Sequence, residues 1–234
     1  MWVKICANTN LKDALLAVEA GADAVGFVFA PSKRRVTPEQ VAEIVDDLPD
    51  GIEKVGVFHT SDPFEVEHFV AAADLTIAQL HGAFDQEMVR LLSAEFGGEL
   101  KIIQTVAYEL NAQDRQAADQ RFEAMLTAAF AEPAVWAVLL DAAKSGVSGG
   151  LGVTYDWVHV AEIVQRAIGE REPRPRVILA GGLKPENVAE AIAALQPWGV
   201  DVVSGVEASA GVKDPGRLKA FIANARAAGD KIGK

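Results

Sequence analysis

Eight short apolar runs, rich in Val, Ile and Leu, alternate along the 234 residues with longer segments whose apolar residues recur at three- and four-residue spacing. The first pattern predicts buried strands, and the second predicts amphipathic helices. The predicted strands are Val3–Cys6, Ala24–Phe29, Lys54–Phe58, Thr76–Leu80, Lys101–Val106, Val135–Leu140, Arg176–Leu179 and Asp201–Val203. The predicted helices are Leu11–Ala20, Pro38–Asp47, Pro63–Ala73, Asp85–Phe96, Ala112–Ala129, Tyr155–Arg166, Pro185–Ala194 and Pro215–Ala228.

Three of the helices carry a start signal. Thr37-Pro38-Glu39, Asp62-Pro63 and Lys184-Pro185-Glu186 each place a proline at a first helical turn. Proline has no N–H to lose at that position, and an acid there is favoured by the helix dipole. We therefore predict that helices begin at Pro38, Pro63 and Pro185.

Strands joined through helices run parallel, and eight of them form either an open sheet or a closed barrel. The strands here are short and evenly spaced. No G-x-G-x-x-G pattern follows the first strand, and glycine-rich turns follow the last three strands instead. These features predict a (β/α)8 TIM barrel, an α/β fold, with residues 1–234 forming a single catalytic domain.

Composition limits the partners. The formal net charge is −11, and no basic patch appears in the sequence, which argues against nucleic acid or an anionic membrane as a partner. The single cysteine excludes an internal disulfide, and the N-terminus lacks the pattern of a secretory signal. No apolar run reaches the roughly 18 residues needed to cross a bilayer. We predict a cytoplasmic protein with a small-molecule substrate.

In a TIM barrel the active site lies at the C-terminal ends of the strands, so the residues at those ends are the candidates. The first strand ends at Cys6, which is either a small buried core residue or a general base. The sixth strand ends at Asp141. A helix cap does not explain this carboxylate, because the next predicted helix starts about a dozen residues later. Asp141 is therefore a candidate acid.

Two further candidates have a structural alternative. Arg34 lies in the cationic cluster Lys33-Arg34-Arg35 after the second strand. This cluster is either a solvated loop, or the planar guanidinium group of Arg34 binds a carboxylate through two parallel hydrogen bonds. His81 shares one side of the fourth strand with Gln79, so it is either a structural histidine or a ligand-facing one.

Glycines mark the last three strand ends. Gly181 and Gly182 follow the seventh strand, and Ser204 and Gly205 follow the eighth. These are either tight turns or the phosphate site that such barrels build there from backbone N–H groups. The stretch Ala142–Gly152 after the sixth strand, which is rich in glycine from Gly146 onward, is interpreted as a lid.

In this order and spacing, the motifs resemble those of the phosphoribosylanthranilate isomerase family over essentially the whole chain. The family's K-x-C-G, S-P-R-Y-V-S-P-E and Q-L-H-G are similar to Lys4–Ala7, Ser32–Glu39 and Gln79–Gly82. Its L-L-D, G-G-x-G and F-D-W resemble Leu139–Asp141, Gly149–Gly152 and Tyr155–Trp157. Its L-A-G-G-L-x-P-x-N-V and S-G-V-E-x-x-x-G-x-K-D are similar to Leu179–Val188 and Ser204–Asp214.

The resemblance implies an isomerase of tryptophan biosynthesis that performs an Amadori rearrangement on a phosphorylated aminoaldose. It assigns Asp141 as the general acid and Cys6 as the general base. It further implies that Arg34 contacts the anthranilate carboxylate, and that Gly182, Ser204 and Gly205 hold the phosphate. His81 and Gly181 are added as substrate-binding candidates. No metal and no organic cofactor is expected, and the protein is expected to be a monomer or a homodimer.

The chain departs from the family pattern at three places. Ala7 replaces a glycine, which adds a methyl group beside the proposed base and excludes backbone angles that only glycine adopts easily. Leu151 and Val153 replace residues that are usually polar in the lid, and Val203 replaces a small polar residue. None of these departures removes a proposed catalytic group.

Two other functions stay open. One is a related phosphate-binding barrel isomerase of histidine biosynthesis, or an enzyme that accepts both substrates. Those enzymes have an aspartate where this chain has Cys6, so Cys6 favours the tryptophan-pathway reaction. The other is a sugar-phosphate-binding regulator that has lost turnover.

Overall fold

A computed structural model describes residues 1–144, 147–148 and 155–232. Its strands are β1 Trp2–Ile5, β2 Ala24–Val28, β3 Glu53–Phe58, β4 Ile77–Leu80, β5 Lys101–Glu109, β6 Val135–Lys144, β7 Val147–Ser148, β8 Val177–Leu179, β9 Gly199–Val202, β10 Glu207–Ser209 and β11 Val212–Lys213. Its helices are α1 Leu11–Glu19, α2 Pro38–Val45, α3 Pro63–Ala72, α4 Gln86–Glu95, α5 Arg115–Ala131, α6 Trp157–Ile168, α7 Val188–Leu195 and α8 Pro215–Ile232.

Eight of the strands form a closed parallel barrel. The order around it is β5-β4-β3-β2-β1-β9-β8-β6, and β6 pairs with β5 to close the ring. Each strand of the ring is followed by a helix that packs on the outside. The predicted (β/α)8 fold is therefore confirmed. None of the described helices is long and apolar enough to cross a membrane.

Alternation along the strands separates two apolar regions. Val3 and Ile5 of β1 belong to the large core between the strands and the helices. A second, smaller core lies inside the barrel. It consists of Ala24, Val55, Ile77, Ile103, Ala137, Leu139, Ile178 and Ala180. Since side chains alternate across a strand, the residues two positions beyond this inner layer reach the C-terminal mouth of the barrel.

The inward positions decide which side chains reach the mouth. In β4, Ala78 and Leu80 belong to the outer core, which leaves Gln79 and then His81 on the inner side, as predicted. In β6, Leu140 belongs to the outer core and Leu139 to the inner one, so Asp141 also points inward. The fold thus collects polar side chains from several strands at one end.

Two of the three predicted helix starts are confirmed, and one is wrong. The side chains of Thr37 and Asp62 cap α2 and α3. Helix α7, however, begins at Val188 and not at Pro185. The side chain of Asn187 accepts a hydrogen bond from the Lys184 amide at 2.8 Å and donates one to the Gly182 carbonyl at 3.1 Å. Residues 184–187 are therefore held in a turn against the glycine loop after β8.

The region after β6 also differs from the prediction. Strands β5 and β6 continue beyond the barrel and stay paired as far as Glu109 and Ala143, and β7 turns back against β6. The first part of the predicted lid is therefore strand. Its small side chains suggested a loop, but the main chain there is hydrogen-bonded to β5. Gly146, Gly149, Gly150, Leu151 and Gly152, and with them most of the predicted lid, lie outside the described residues.

Candidate active site

A cavity opens at the C-terminal ends of the barrel strands. Most of the predicted site residues line it, namely Cys6, Arg34, His81, Asp141, Gly181, Gly182 and Ser204. Gly205 does not line the cavity, but it lies directly behind Ser204. Residues that are far apart in the sequence are thus brought together, as the strand-end argument requires.

Cys6 is almost completely buried at the base of this cavity. Below it, the Lys4 side chain is fully buried and donates hydrogen bonds to Gln79 Oε1 at 2.8 Å and to Asp201 Oδ1 at 3.1 Å. Lys4 also lies in hydrogen-bonding contact with the Cys6 thiol. Sequence analysis identified Lys4 only as part of a motif, since alternation shows that it points inward but not which acid neutralises it.

Burial sets the protonation of the thiol. It raises the pKa of Cys6, and the negative charge of Asp201 acts in the same direction. The ammonium groups of Lys4 and Lys213 oppose this and favour the thiolate. At neutral pH the thiol is therefore protonated, with Lys4 and Lys213 placed to stabilise its deprotonated form.

The expectation that Ala7 excludes glycine-like backbone angles is wrong. Ala7 has a φ of 59°, which lies in the left-handed region. The chain therefore keeps the conformation that glycine favours, at a cost of about 1–2 kcal/mol for a residue with a side chain. The neighbouring backbone holds this geometry, because the Cys6 amide donates to Val202 at 2.9 Å and the Asn8 amide donates to Gly26 at 2.9 Å.

Asp141 stands on another side of the cavity and is 7% exposed. Its Oδ1 accepts a hydrogen bond from the Ala142 amide at 2.8 Å. Gly181, with a φ of 84°, lets the neighbouring loop approach closely, since a Cβ there would lie 3.2 Å from Asp141 Oδ1 and 2.9 Å from the Ala142 nitrogen. The buried hydroxyl of Tyr155 donates to the Ala180 carbonyl at 3.2 Å beside this carboxyl group. The sequence signal for Gly181 therefore reflects packing against Asp141.

Arg34 reaches the cavity from the loop after β2, and it is held by an acid. Its Nε donates to Glu207 Oε1 at 2.8 Å, and its Nη2 donates to Glu207 Oε2 at 2.6 Å. This fork-to-fork pair fixes the plane of the guanidinium group. The Arg34 side chain is therefore not solvated, whereas Lys33 and Arg35 of the same cluster are exposed, as the solvated-loop alternative expected.

His59, which was not predicted from the sequence, also lines the cavity. Its ring centroid lies 6.3 Å from that of His81. The signal was available, because Phe58 belongs to the outer core and the next residue must then face inward. Burial, with smaller contributions from the charges of His59 and Lys4, lowers the pKa of His81 to about 4. His81 is therefore a neutral imidazole at physiological pH.

The lowered pKa of His81 predicts a pH-dependent stability. Below about pH 6.5 the unfolded chain binds this proton more readily than the folded chain, so stability should decrease as the pH falls towards 4. Between about pH 7 and pH 5 the loss should be about 2 kcal/mol smaller in His81→Gln than in the wild type. Denaturant unfolding measures both values. His68→Gln, a change at an exposed histidine of α3, is the control, and equal losses in all three proteins would contradict the prediction.

The glycine loops after β8 and β9 meet at the rim. Gly182 has a φ of 65°, and Ser204–Val206 forms a single 3₁₀ turn. The amides of Ser204 and Gly205 are not used within this turn, since its bonds start from later residues. Gly205 is required for close packing, because a Cβ there would lie 1.9 Å from the Leu183 carbonyl oxygen. The two loops thus pack closely together, and among the described residues the amides of Ser204 and Gly205 have no main-chain acceptor, which is an arrangement typical of anion sites.

The fold and this cavity define the chain as a TIM-barrel enzyme whose candidate site lies at the C-terminal ends of the strands. Residues 3–224 match the family model described as N-(5'phosphoribosyl)anthranilate (PRA) isomerase. The chain therefore belongs to the N-(5'-phosphoribosyl)anthranilate isomerase family, whose enzymes serve tryptophan biosynthesis.

Individual relatives agree with this assignment. N-(5'-phosphoribosyl)anthranilate isomerase of Symbiobacterium thermophilum is 41% identical, with 97% of this chain and 98% of that protein covered. The crystal structure of phosphoribosyl anthranilate isomerase from Thermotoga maritima has a TM-score of 0.78 at 36% identity and covers 97% of this chain and 99% of that one. A crystal structure of the isomerase in complex with reduced 1-(o-carboxyphenylamino)-1-deoxyribulose 5-phosphate has a TM-score of 0.77 at 34% identity, with the same coverage.

Proposed function

We propose that the cavity converts N-(5-phosphoribosyl)anthranilate to 1-(2-carboxyphenylamino)-1-deoxy-ribulose 5-phosphate by general acid–base catalysis. The observation that carries this proposal is that a carboxyl group, Asp141, and a thiol, Cys6, line the same cavity, whose other carboxyl group, Asp201, is paired with Lys4. An Amadori rearrangement needs one group that gives a proton to the ring oxygen and another that removes a proton from C2.

In the first step, Asp141 donates its proton to the furanose oxygen, and the C1–O bond breaks to leave a Schiff base. Cys6 then removes the C2 proton as a thiolate, and the electron pair moves to give an enolamine. The enolamine takes up a proton at C1 and tautomerises to the ketone. All atoms of the substrate are retained, as an isomerisation requires.

The thiolate form of Cys6 must be stabilised by neighbouring groups, because burial raises the pKa of the thiol. Lys4 touches the thiol and Lys213 lies near it, so both cations favour the thiolate that removes the C2 proton. Lys4 is in turn paired with Asp201 at 3.1 Å, which limits how much of its charge is available. Burial and Asp201 thus oppose ionisation of the thiol, and the thiolate fraction available for catalysis depends on the two lysines and on pH.

The two ends of the substrate are anionic. Arg34 binds the anthranilate carboxylate, and the loops that contain Gly181, Gly182, Ser204 and Gly205 bind the phosphate. His81, as a neutral imidazole, donates or accepts a hydrogen bond to a sugar hydroxyl. These assignments follow the family resemblance residue by residue, and the arrangement of the cavity supports them.

An activity assay tests the proposal. Consumption of phosphoribosylanthranilate, followed by its fluorescence, should be catalysed, while the aminoaldose of histidine biosynthesis should not be isomerised. Turnover of both substrates would support the dual-substrate alternative. Binding of the reduced product analogue without turnover of either substrate would identify the chain as a regulator.

Substitution of Gly205 tests the phosphate loop. Gly205→Val should weaken binding of phosphorylated ligands by about 1–3 kcal/mol, since a side chain there would push the two loops apart and remove charged hydrogen bonds. Isothermal titration with the reduced product analogue measures this loss. Gly199→Val is a matched control at the other end of the same chain segment, where a Cβ would meet Trp2 at 2.9 Å. Unchanged affinity in Gly205→Val would place the phosphate elsewhere.

The predicted cytoplasmic location and the predicted monomer or homodimer stay predictions. One solved structure in the family concerns monomers derived from the dimeric phosphoribosylanthranilate isomerase of Thermotoga maritima. Analytical ultracentrifugation of this chain would determine its own state.

A further inference from the structure

Glu207 lies at the centre of a buried ionic network that reaches two sides of the cavity. It is 7% exposed and follows the 3₁₀ turn that contains Ser204 and Gly205. On one side it accepts the double hydrogen bond from Arg34. On the other side it lies 3.6 Å from the ammonium group of Lys213. Glu207 itself does not line the cavity.

Lys213 extends the network to the proposed base. Its side chain is fully buried, and Nζ donates to the Cys6 carbonyl oxygen at 2.6 Å. The Gly211 amide donates to Glu207 Oε1 at 3.1 Å, and Arg217 donates to the Glu207 carbonyl at 3.3 Å. The hairpin of β10 and β11, together with Arg217 of α8, thus holds Glu207 in place. Because the Glu207 carboxylate is ordered by these contacts, it also restricts the conformation of the Arg34 side chain that pairs with it.

The geometry of the pair determines what Arg34 presents to a ligand. A guanidinium group has five N–H donors. Glu207 takes the Nε donor and one donor of Nη2, which leaves the Nη1 donors and the second Nη2 donor. These three lie along the outer edge of the plane, away from the acid. That edge has the shape of a second fork for a planar carboxylate.

We propose that Glu207 is a positioning residue that aims the outer edge of Arg34 at the substrate carboxylate and so determines selectivity for a carboxylated aromatic amine. This inference rests on the proposed function, in which Arg34 binds that carboxylate. Without Glu207, the long Arg34 side chain would populate several rotamers. Each binding event would then cost the conformational entropy of ordering this side chain. The negative charge of Glu207 is balanced within the network by Arg34 and by the buried Lys213, which lies 3.6 Å away.

The test is carboxylate discrimination, measured as a ratio of two dissociation constants. The ligands are reduced 1-(o-carboxyphenylamino)-1-deoxyribulose 5-phosphate and its counterpart without the carboxyl group. In the wild type the carboxylated ligand should bind about 10- to 100-fold more tightly. In Glu207→Gln this ratio should fall about fivefold or more, because one neutral amide oxygen cannot hold both Nε and Nη2. Affinity for the ligand without the carboxyl group should change less than about twofold.

A matched control separates positioning from general loss of stability. Glu132, at 3% side-chain exposure, also pairs with an arginine, since it accepts from Arg90 Nε at 2.9 Å, but it lies outside the cavity. Glu132→Gln should leave the discrimination ratio unchanged. Should Glu207→Gln fail to fold, Glu207→Asp serves instead, because its shorter side chain keeps the charge but cannot reach both nitrogens from the same backbone position.

The outcomes distinguish this inference from the proposed function. Arg34→Met should abolish the discrimination, and adding Glu207→Gln to Arg34→Met should change it no further. If Arg34→Met abolishes the discrimination while Glu207→Gln and Glu207→Asp keep it, the positioning role of Glu207 is overturned and the carboxylate site stands. If Arg34→Met leaves the discrimination intact, the carboxylate site itself is misplaced, and the role of Glu207 falls with it.

Discussion

Asp141→Asn is expected to lower kcat by at least about 10²-fold and by as much as about 10⁴-fold, with little change in substrate affinity. The amide has nearly the shape of the carboxyl group, and its oxygen still accepts the hydrogen bond that the Ala142 amide donates to Asp141 at 2.8 Å. It cannot supply the proton that the ring oxygen needs as the C1–O bond breaks. Steady-state kinetics, together with titration of the reduced product analogue, measures both quantities.

A carboxylate on the opposite side of the barrel provides the control for Asp141. Asp23 accepts a hydrogen bond from the Val3 amide at 2.7 Å and pairs with Arg226. Asp23→Asn removes a partly buried charge far from the cavity, so its effect should appear in stability and not in kcat. If Asp141→Asn retained wild-type kcat, the acid role would have to move to another group that lines the cavity.

Cys6→Ala is expected to lower kcat by a similar factor of about 10² to 10⁴, but at a different step. Ring opening by Asp141 should still occur, and the reaction should stop before the C2 proton leaves. In a partly active Cys6→Ser variant, substrate deuterated at C2 should give a clear primary isotope effect, because proton removal becomes the slow step. The alanine leaves a space at the base of the cavity and removes no charged group, so ligand affinity should change little.

The raised pKa of Cys6 adds a pH criterion to this experiment. Only the thiolate acts as a base, and burial holds the pKa of the thiol above its ordinary value. Wild-type kcat/KM should therefore increase with pH between about pH 7 and pH 9, as the thiolate fraction grows. The Cys6→Ser variant should lack this increase. Near wild-type turnover in Cys6→Ala would return Cys6 to the role of a small core residue.

Much of the site was predictable because strand alternation is a local property. The apolar runs that end at Cys6 and Asp141 indicate which side chains point inward, and a parallel barrel brings all the strand ends to one mouth. His59 could have been found by the same rule, since it follows a strand whose last residue, Phe58, faces the helices. The glycines after the last strands likewise marked the place where two loops meet, although Gly181 proved to be needed for its contact with Asp141.

Pairing between distant residues was not predictable in the same way. Arg34 and Glu207 are 173 positions apart, and Lys4 and Asp201 are 197 positions apart. Neither pattern nor charge identifies such partners, because many acids and bases occur in the chain. The same holds for the extension of β5 and β6, which depends on main-chain hydrogen bonds between two strands and not on the side chains of either one.

The sequence by itself determined the barrel, its family and the inward positions of Cys6, His81 and Asp141. These follow from local patterns, because apolar periodicity and the order of the strands can be read from neighbouring residues along the chain. Only the tertiary structure decided how those groups are tuned. The pKa values of Cys6 and His81 depend on burial and on charges contributed by other strands, and the direction in which Arg34 points depends on Glu207. Burial and long-range ion pairs arise only when the ring of strands closes, since closure is what removes these side chains from water and sets their partners beside them.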